Sequence, residues 1–138
     1  MDTNAAQVMV DRLVQATNDH DAEAVAACFA EDYENQTPVH PARGFRGRAQ
    51  VRQNWEQIFA FVSDLRAEVI SSAIDGDTAW TEWEMTGTRR DGTAHEMRGV
   101  VLFGVREGVA HWARFYLEPV DSDPGGVDEA VLRQVRRR

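Results

Sequence analysis

Two glutamates alternate with two tryptophans in the stretch AWTEWEMTGT, residues 79–88. In a strand Trp80, Glu82 and Glu84 share one face, because successive side chains point to opposite sides. Trp83 lies on the other face, so the apolar residues do not decide which face is buried. Two carboxylates at this spacing are roughly 6–7 Å apart. Inside a cavity, repulsion between the two charges would split the two pKa values and favour acid–base chemistry. On the surface, the carboxylates are solvated and pair with arginines of neighbouring strands.

Other reactive groups in the sequence carry weaker signals. His20, His40, His95 and His111 lie far apart, and none forms a pair at the spacing of metal ligands, so we expect no metal. The sequence has no glycine-rich phosphate loop and no Gly-x-Ser-x-Gly motif, so we expect no organic cofactor. Cys28 lies in the apolar stretch AVAACFA, which predicts a small buried side chain rather than a nucleophile.

Length and charge limit the class of protein. The 138 residues suit one domain, which we assign to residues 1–120, followed by an extension over 121–138 with a short helix and a basic tail. The net charge is −8, and the four arginines of the last six residues account for +4, which leaves −12 on residues 1–132. An acidic body repels nucleic acid. With a single cysteine, no basic leader and no apolar run of membrane-spanning length, we expect a cytoplasmic protein that contacts no membrane.

The pattern of apolar residues changes from helical to alternating after residue 64. Three helices are predicted over residues 3–18, 21–30 and 48–61, with Asp2 or Thr3 capping the first and Asp21 the second. Four strands are predicted in LRAEVISSAI, TAWTEWEMTGTRR, HEMRGVVLFGVR and VAHWARFYLEPV, separated by the turn signals DGD, DGT and EG. Helices followed by an antiparallel meander indicate an α+β fold with the helices packed on one face of the sheet.

The third and fourth strands can be assigned inner and outer faces from the sequence. The purely apolar set Met97, Gly99, Val101, Phe103 and Val105 is predicted to face inward, together with His111, Ala113, Phe115 and Leu117. The opposite face mixes charged residues with Val100, Leu102, Trp112 and Tyr116. That face is too apolar for bulk water, so we predict that a second copy covers it in a homodimer.

The order of elements, with FAEDYENQTP, RGRAQVRQNW, DGDTAWTEWEMTG and GVVLFGVREGVAHWARFYLEPV, resembles the SnoaL-like branch of the nuclear transport factor 2-like superfamily. The closing strand is similar to the family pattern Gly-Lys-Ile-Val-x-Trp-Arg-Asp-Tyr-Trp-Asp-Pro. The resemblance implies a cone, in which a curled antiparallel sheet wraps around three N-terminal helices and encloses a pocket. It also implies dimers through the outer face of the sheet. It does not imply one activity, since this fold hosts many.

Enzymes of this superfamily have catalytic residues whose positions can be compared one by one with this sequence. The three catalytic positions of ketosteroid isomerases fall at Leu13, Thr37 and Val101, and the cyclase aspartate falls at Phe115, so neither apparatus is present. Limonene-epoxide-hydrolase-like members orient water with a Tyr-x-Asn pair, which Tyr33-Glu34-Asn35 matches. The same resemblance places Glu84 and Glu82 at triad positions and turns both inward.

Two interpretations of the function follow from this resemblance. In the first, a small apolar molecule binds in the cone, and cofactor-free chemistry such as epoxide opening, isomerisation or cyclisation uses Glu84 and Glu82 as acid and base. In the second, the chain is a non-catalytic ligand-binding or dimerisation module. The residues expected to contact the ligand are Tyr33, Asn35, His40, Trp55, Trp80, His111 and Phe115.

Overall fold

The computed structural model describes residues 4–136, which form four α-helices and a six-stranded sheet. A 3-10 turn at Pro41–Arg43 separates the first two strands. The helices are α1 (Ala5–Asn18), α2 (Ala22–Ala26), α3 (Arg48–Phe61) and α4 (Val127–Val135). The strands are β1 (Phe29–Gln36), β2 (Phe45–Arg46), β3 (Arg66–Asp75), β4 (Thr78–Thr88), β5 (Ala94–Arg106) and β6 (Val109–Pro119).

The sheet has the strand order β2-β1-β6-β5-β4-β3 and is curled but not closed. Strands β3 to β6 form the predicted antiparallel meander. Glycines with positive φ make two of its turns possible, Gly76 at 60° and Gly108 at 80°. The predicted α+β class, with a curled sheet around N-terminal helices, is therefore confirmed.

Helix α1 lays its apolar stripe against the concave face of the sheet. Its buried residues include Met9, Val10 and Leu13, at the spacing that predicted them. The cap is Asn4, whose Oδ1 accepts hydrogen bonds from two backbone N–H groups at the start of the helix. The caps expected at Asp2 or Thr3 lie outside the described residues.

The second helix is shorter than the sequence predicts. It ends at Ala26 instead of residue 30, because the chain enters β1 at Phe29, where it pairs with Ala110 of β6. The N–H of Ala110 donates to the carbonyl oxygen of Cys28 at 2.8 Å. Cys28 is fully buried, and this burial raises the pKa of its thiol, as suits the predicted packing role.

Helix α4 buries none of its residues against the rest of the chain. Its apolar residues Val127, Val131 and Val135 face solvent. Arg133 forms exposed ion pairs with Asp123 and Glu129. Within residues 4–136 no helix has the length and apolar character needed to cross a membrane.

Candidate functional site

A cavity of about 400 Å³ lies between α3 and the concave face of the sheet. Its walls come from α3, β1, the loop after β1, and the three strands β4 to β6. Toward the interior it adjoins a narrow hollow of about 30 Å³, which α1 closes with Leu13 and Thr17. Five residues line both spaces: Phe29, Trp55, Met85, Phe115 and Leu117. The two spaces therefore form one cone that narrows toward α1.

The narrow end of the cone is lined mostly by apolar side chains, and two of its polar side chains, Thr17 and Trp83, are hydrogen-bonded within the protein. The hydroxyl of Thr17 donates to the carbonyl oxygen of Leu13 at 2.8 Å. The indole N–H of Trp83 donates to Thr81 Oγ1 at 2.7 Å, and that hydroxyl donates to the Val101 carbonyl. Because these polar groups are already satisfied, this end suits the apolar part of a ligand.

The Tyr-x-Asn pair of β1 lies on the cavity wall. Tyr33 is 1% exposed, and its hydroxyl donates to Asn35 Oδ1 at 2.8 Å. Burial raises the pKa of Tyr33, so the phenol keeps its proton at neutral pH. The amide nitrogen of Asn35 has no partner among the described residues and remains able to donate into the cavity. The structure thus brings together Tyr33, Asn35, Trp55 and Phe115 of the predicted set.

A histidine–glutamate pair stands at the wide end of the cavity, which we call the mouth. His40 Nε2 lies 3.1 Å from Oε1 of Glu118, and Glu118 lines the cavity. The side chain of His40 is 33% exposed and that of Glu118 is 40% exposed. His40 therefore reaches the site through Glu118. Strict alternation along β6 assigns Glu118 to the outer face, so sequence reasoning missed it at the end of the strand.

Four more polar residues line the mouth, and the sequence did not predict that they contact a ligand. They are Thr37, Arg43, Asn54 and His95. For two of them a signal existed. Asn54 follows Val51 by three residues on α3, and His95 precedes Met97 by two on β5. Burial, with a smaller contribution from the charge of Arg89, lowers the pKa of His95, so its ring is neutral at pH 7.

The expectation that Glu82 and Glu84 face the cavity is wrong. Glu82 is exposed, and Glu84 Oε2 lies 3.4 Å from Arg98 Nη2 on the outer face. Trp80 shares this face and is 48% exposed. The reason is that Trp83 packs inward, where Thr81 satisfies its indole N–H. The alternative interpretation is correct in placing both carboxylates on the outer face, where Glu84 pairs with an arginine of the neighbouring strand and Glu82 is exposed.

The expectation that His111 faces the cavity is also wrong. The pairing of β6 with β5 shifts between Ala110 and Trp112, so Ala110 takes the inner position and is fully buried. His111 Nδ1 lies 3.3 Å from Arg106 Nη2 and 4.0 Å from Asp32 Oδ1, and His111 is not among the residues lining the cavity. An irregularity in strand pairing, which strict alternation ignores, causes the error.

Replacing both outer carboxylates should therefore have little effect. The double variant Glu82→Gln and Glu84→Gln loses one partly exposed ion pair, so the free energy of unfolding should change by less than about 1 kcal/mol. Urea denaturation measures this change, and ligand titration checks that affinity is preserved. A loss of binding in the double variant would return these carboxylates to the site.

No group of three or more His, Cys, Asp or Glu side chains within residues 4–136 is arranged to hold a metal ion. The cavity lining includes a single carboxylate, Glu118, whose partner is His40. The residues present favour hydrogen bonding to an organic molecule over metal coordination.

Solved structures with the same fold are similar to this chain at low sequence identity. The protein RV0760c from Mycobacterium tuberculosis, in complex with estradiol-17beta-hemisuccinate, is 18% identical over 83% of this chain and 94% of its own, with a TM-score of 0.71. A protein with a ketosteroid isomerase-like fold from Catenulispora acidiphila, in complex with trimethylamine, is 17% identical over 78% and 84%, with a TM-score of 0.66. An NTF2-like protein from Cytophaga hutchinsonii is 13% identical over 86% and 95%, with a TM-score of 0.63.

No curated relative matches the sequence. The family profile described as SnoaL-like domain matches residues 10–115, which cover α1 to most of β6. That span includes the cone and most of its lining residues. The chain has the fold of NTF2-like proteins, and it belongs to the family of SnoaL-like domains.

Proposed function

We propose that this protein binds a small, mostly apolar molecule in the cone. The observation that carries the proposal is the cavity of about 400 Å³, with an apolar narrow end and unpaired polar groups at its mouth. Small-molecule sites combine these features, with volumes of roughly 300–1,000 Å³ and a few polar groups that fix orientation. The complexes of two similar proteins with small molecules support the same function.

The position of each side chain suggests its role in binding. Phe115 and Trp55 line both the cavity and its narrow end, so they offer apolar contact along its length. Asn35, held by Tyr33, offers an amide N–H donor to a carbonyl or hydroxyl oxygen of the ligand. His40 orients the carboxylate of Glu118 at the mouth.

Native mass spectrometry and calorimetry test this proposal. Gentle purification followed by native spectra should reveal a co-purified molecule. Calorimetric titration with neutral probes such as 2-naphthol, 1-indanone and 4-phenylbutyramide should show saturable binding of at least one probe. A chain that carries no ligand and binds no member of the panel would overturn the proposal.

Cofactor-free acid–base chemistry is the second candidate, and one observation favours it. The pair of His40 and Glu118 combines a carboxylate with a histidine at hydrogen-bond distance beside the cavity, as general bases require. It replaces the pair of Glu82 and Glu84 in this role. Turnover of an epoxide or enone panel that is lost in Glu118→Gln but kept in Glu82→Gln would support catalysis. No turnover in the wild-type chain would leave binding alone.

We also propose a homodimer through the outer face of the sheet. Trp80 is 48% and Tyr116 39% exposed there, beside half-buried Val100 and Trp112. Such a contiguous apolar group favours cover by a second copy. Light scattering should give twice the chain mass of 15.5 kDa, and Tyr116→Lys should shift the population toward monomer. A wild-type monomer at tens of micromolar would contradict the dimer.

We propose that the protein is located in the cytoplasm. A single cysteine that is fully buried suits a reducing compartment. The net charge of −8 also disfavours nucleic acid as a partner.

A further inference from the structure

The mouth of the cavity carries more hydrogen-bond donors than the protein itself uses. Asn35 Oδ1 accepts from Tyr33, and Asn54 Oδ1 accepts from the amide of Gln50 at 2.7 Å. Both carbonyl oxygens are therefore occupied, while neither amide nitrogen has a partner among the described residues. Both residues line the cavity. Their free N–H groups can only donate, so they suit an acceptor on the ligand.

Two residues of the loop after β1 add to this set. The hydroxyl oxygen of Thr37 is buried and has no hydrogen-bond partner. Arg43 lines the mouth, and no carboxylate of residues 4–136 lies within 4.0 Å of its guanidinium. Successive tight turns fix the path of the loop, with the N–H of His40 bonded to the Thr37 carbonyl at 2.8 Å and that of Arg43 to the His40 carbonyl at 2.9 Å.

The charges at the mouth also favour an acceptor group on the ligand, and specifically an anionic one. Among residues 4–136, Glu118 is the only carboxylate that lines the cavity, and its Oε1 is hydrogen-bonded to His40. The guanidinium of Arg43 remains as a cation without a carboxylate partner in the described part of the chain. A guanidinium binds a carboxylate through parallel N–H donors, which makes this pair stronger than a hydrogen bond between neutral groups.

We propose that the ligand of this cavity is an amphipathic carboxylate. Its apolar body occupies the cone, and its carboxylate lies at the mouth, where Arg43 and the amides of Asn35 and Asn54 donate to its oxygens. This inference rests on the proposed function, which requires only that the cavity binds an apolar molecule. A neutral ligand with a carbonyl group at the mouth is the alternative that the experiment separates.

Two probes that share one body provide the test. Calorimetry compares 4-phenylbutyrate with its neutral amide, 4-phenylbutyramide, on the wild-type chain. The carboxylate should bind about tenfold more tightly, because one charged contact at a partly exposed site is added. Arg43→Gln should remove this preference by weakening binding of the carboxylate much more than that of the amide. Arg46→Gln is the matched control, since Arg46 is exposed, pairs with Glu34 and does not line the cavity.

A second variant tests the sign of the charge effect. Glu118→Gln removes the one carboxylate among the described lining residues, so it should tighten binding of 4-phenylbutyrate relative to that of the amide. Equal affinity of the wild-type chain for both probes, or a preference that survives Arg43→Gln, would overturn the inference while the proposed function stands. If neither probe binds although other members of the neutral panel do, the inference also fails. Failure of the whole panel overturns both.

Discussion

A Met97→Trp substitution is expected to weaken ligand binding at least 100-fold while the protein stays folded. Met97 lies on the inner face of β5 and lines the cavity. The bulkier indole would project into the space that the ligand needs. Because the added ring fills an existing hollow and displaces no core side chain, the melting temperature should stay constant or rise. Calorimetry with the neutral probe panel measures the affinity, and a thermal melt measures the stability.

The matched control for this change is Glu96→Trp. Glu96 is the preceding residue of the same strand and is exposed on the opposite face. It adds the same side chain without entering the cone, so its affinity should equal that of the wild type. If Met97→Trp binds the probes as tightly as Glu96→Trp does, the ligand does not occupy the cone.

A Gly99→Ala substitution is expected to lower the free energy of unfolding by about 3 kcal/mol or more. Gly99 has a φ of 151°, a backbone conformation that residues other than glycine rarely adopt. A Cβ at this position would also collide with the backbone carbonyl of Tyr116 in the adjacent strand. That obstacle cannot rotate away as a side chain can, so β5 and β6 would have to separate locally. Backbone strain and overpacking each contribute roughly 1–3 kcal/mol.

Gly108→Ala separates these two contributions. Gly108 has φ of 80°, but a Cβ there would meet no atom within 4 Å. It should therefore cost only the backbone strain, about 1 kcal/mol. Urea denaturation of both variants gives the difference. Equal losses in the two variants would show that β5 and β6 accommodate a methyl group at Gly99, against the close approach of the Tyr116 carbonyl to this position.

The local patterns of the chain predicted most of the sheet and the longest helices. Helix α3 covers the predicted residues, and the meander follows the alternating stretches because each is bounded by a glycine turn. Strand β1 was missed for a physical reason. The stretch around Cys28 also suits a helix. Strand β1 pairs along most of its length with the parallel β6, about 80 residues away, and only two of its residues pair with the short β2. Pairing between residues so far apart along the chain leaves no pattern in the local sequence.

The orientation of β4 shows where sequence patterns stop being informative. Each of its faces carries one tryptophan, so hydrophobicity cannot choose between them. The choice depends on tertiary contacts: the Trp83 ring packs against the Phe103 ring on the inside, and Glu84 pairs with Arg98 on the outside. The family resemblance predicted the cone and its Tyr-x-Asn pair but assigned the wrong face to Glu82 and Glu84. The polar groups that do line the mouth, such as Glu118 and Arg43, come from a strand end and a loop, where no periodic pattern applies.

Methionine-methyl NMR tests the central claim most directly, namely that a small molecule binds inside the cone. Met85 and Met97 line the cavity, whereas Met9 is fully buried in the core and lines neither the cavity nor its narrow end. Titration of methyl-labelled protein with 4-phenylbutyramide or 2-naphthol should shift the Met85 and Met97 signals saturably and leave Met9 nearly unchanged. Saturable binding in the calorimeter without any shift at Met85 and Met97 would place the ligand elsewhere and contradict the account.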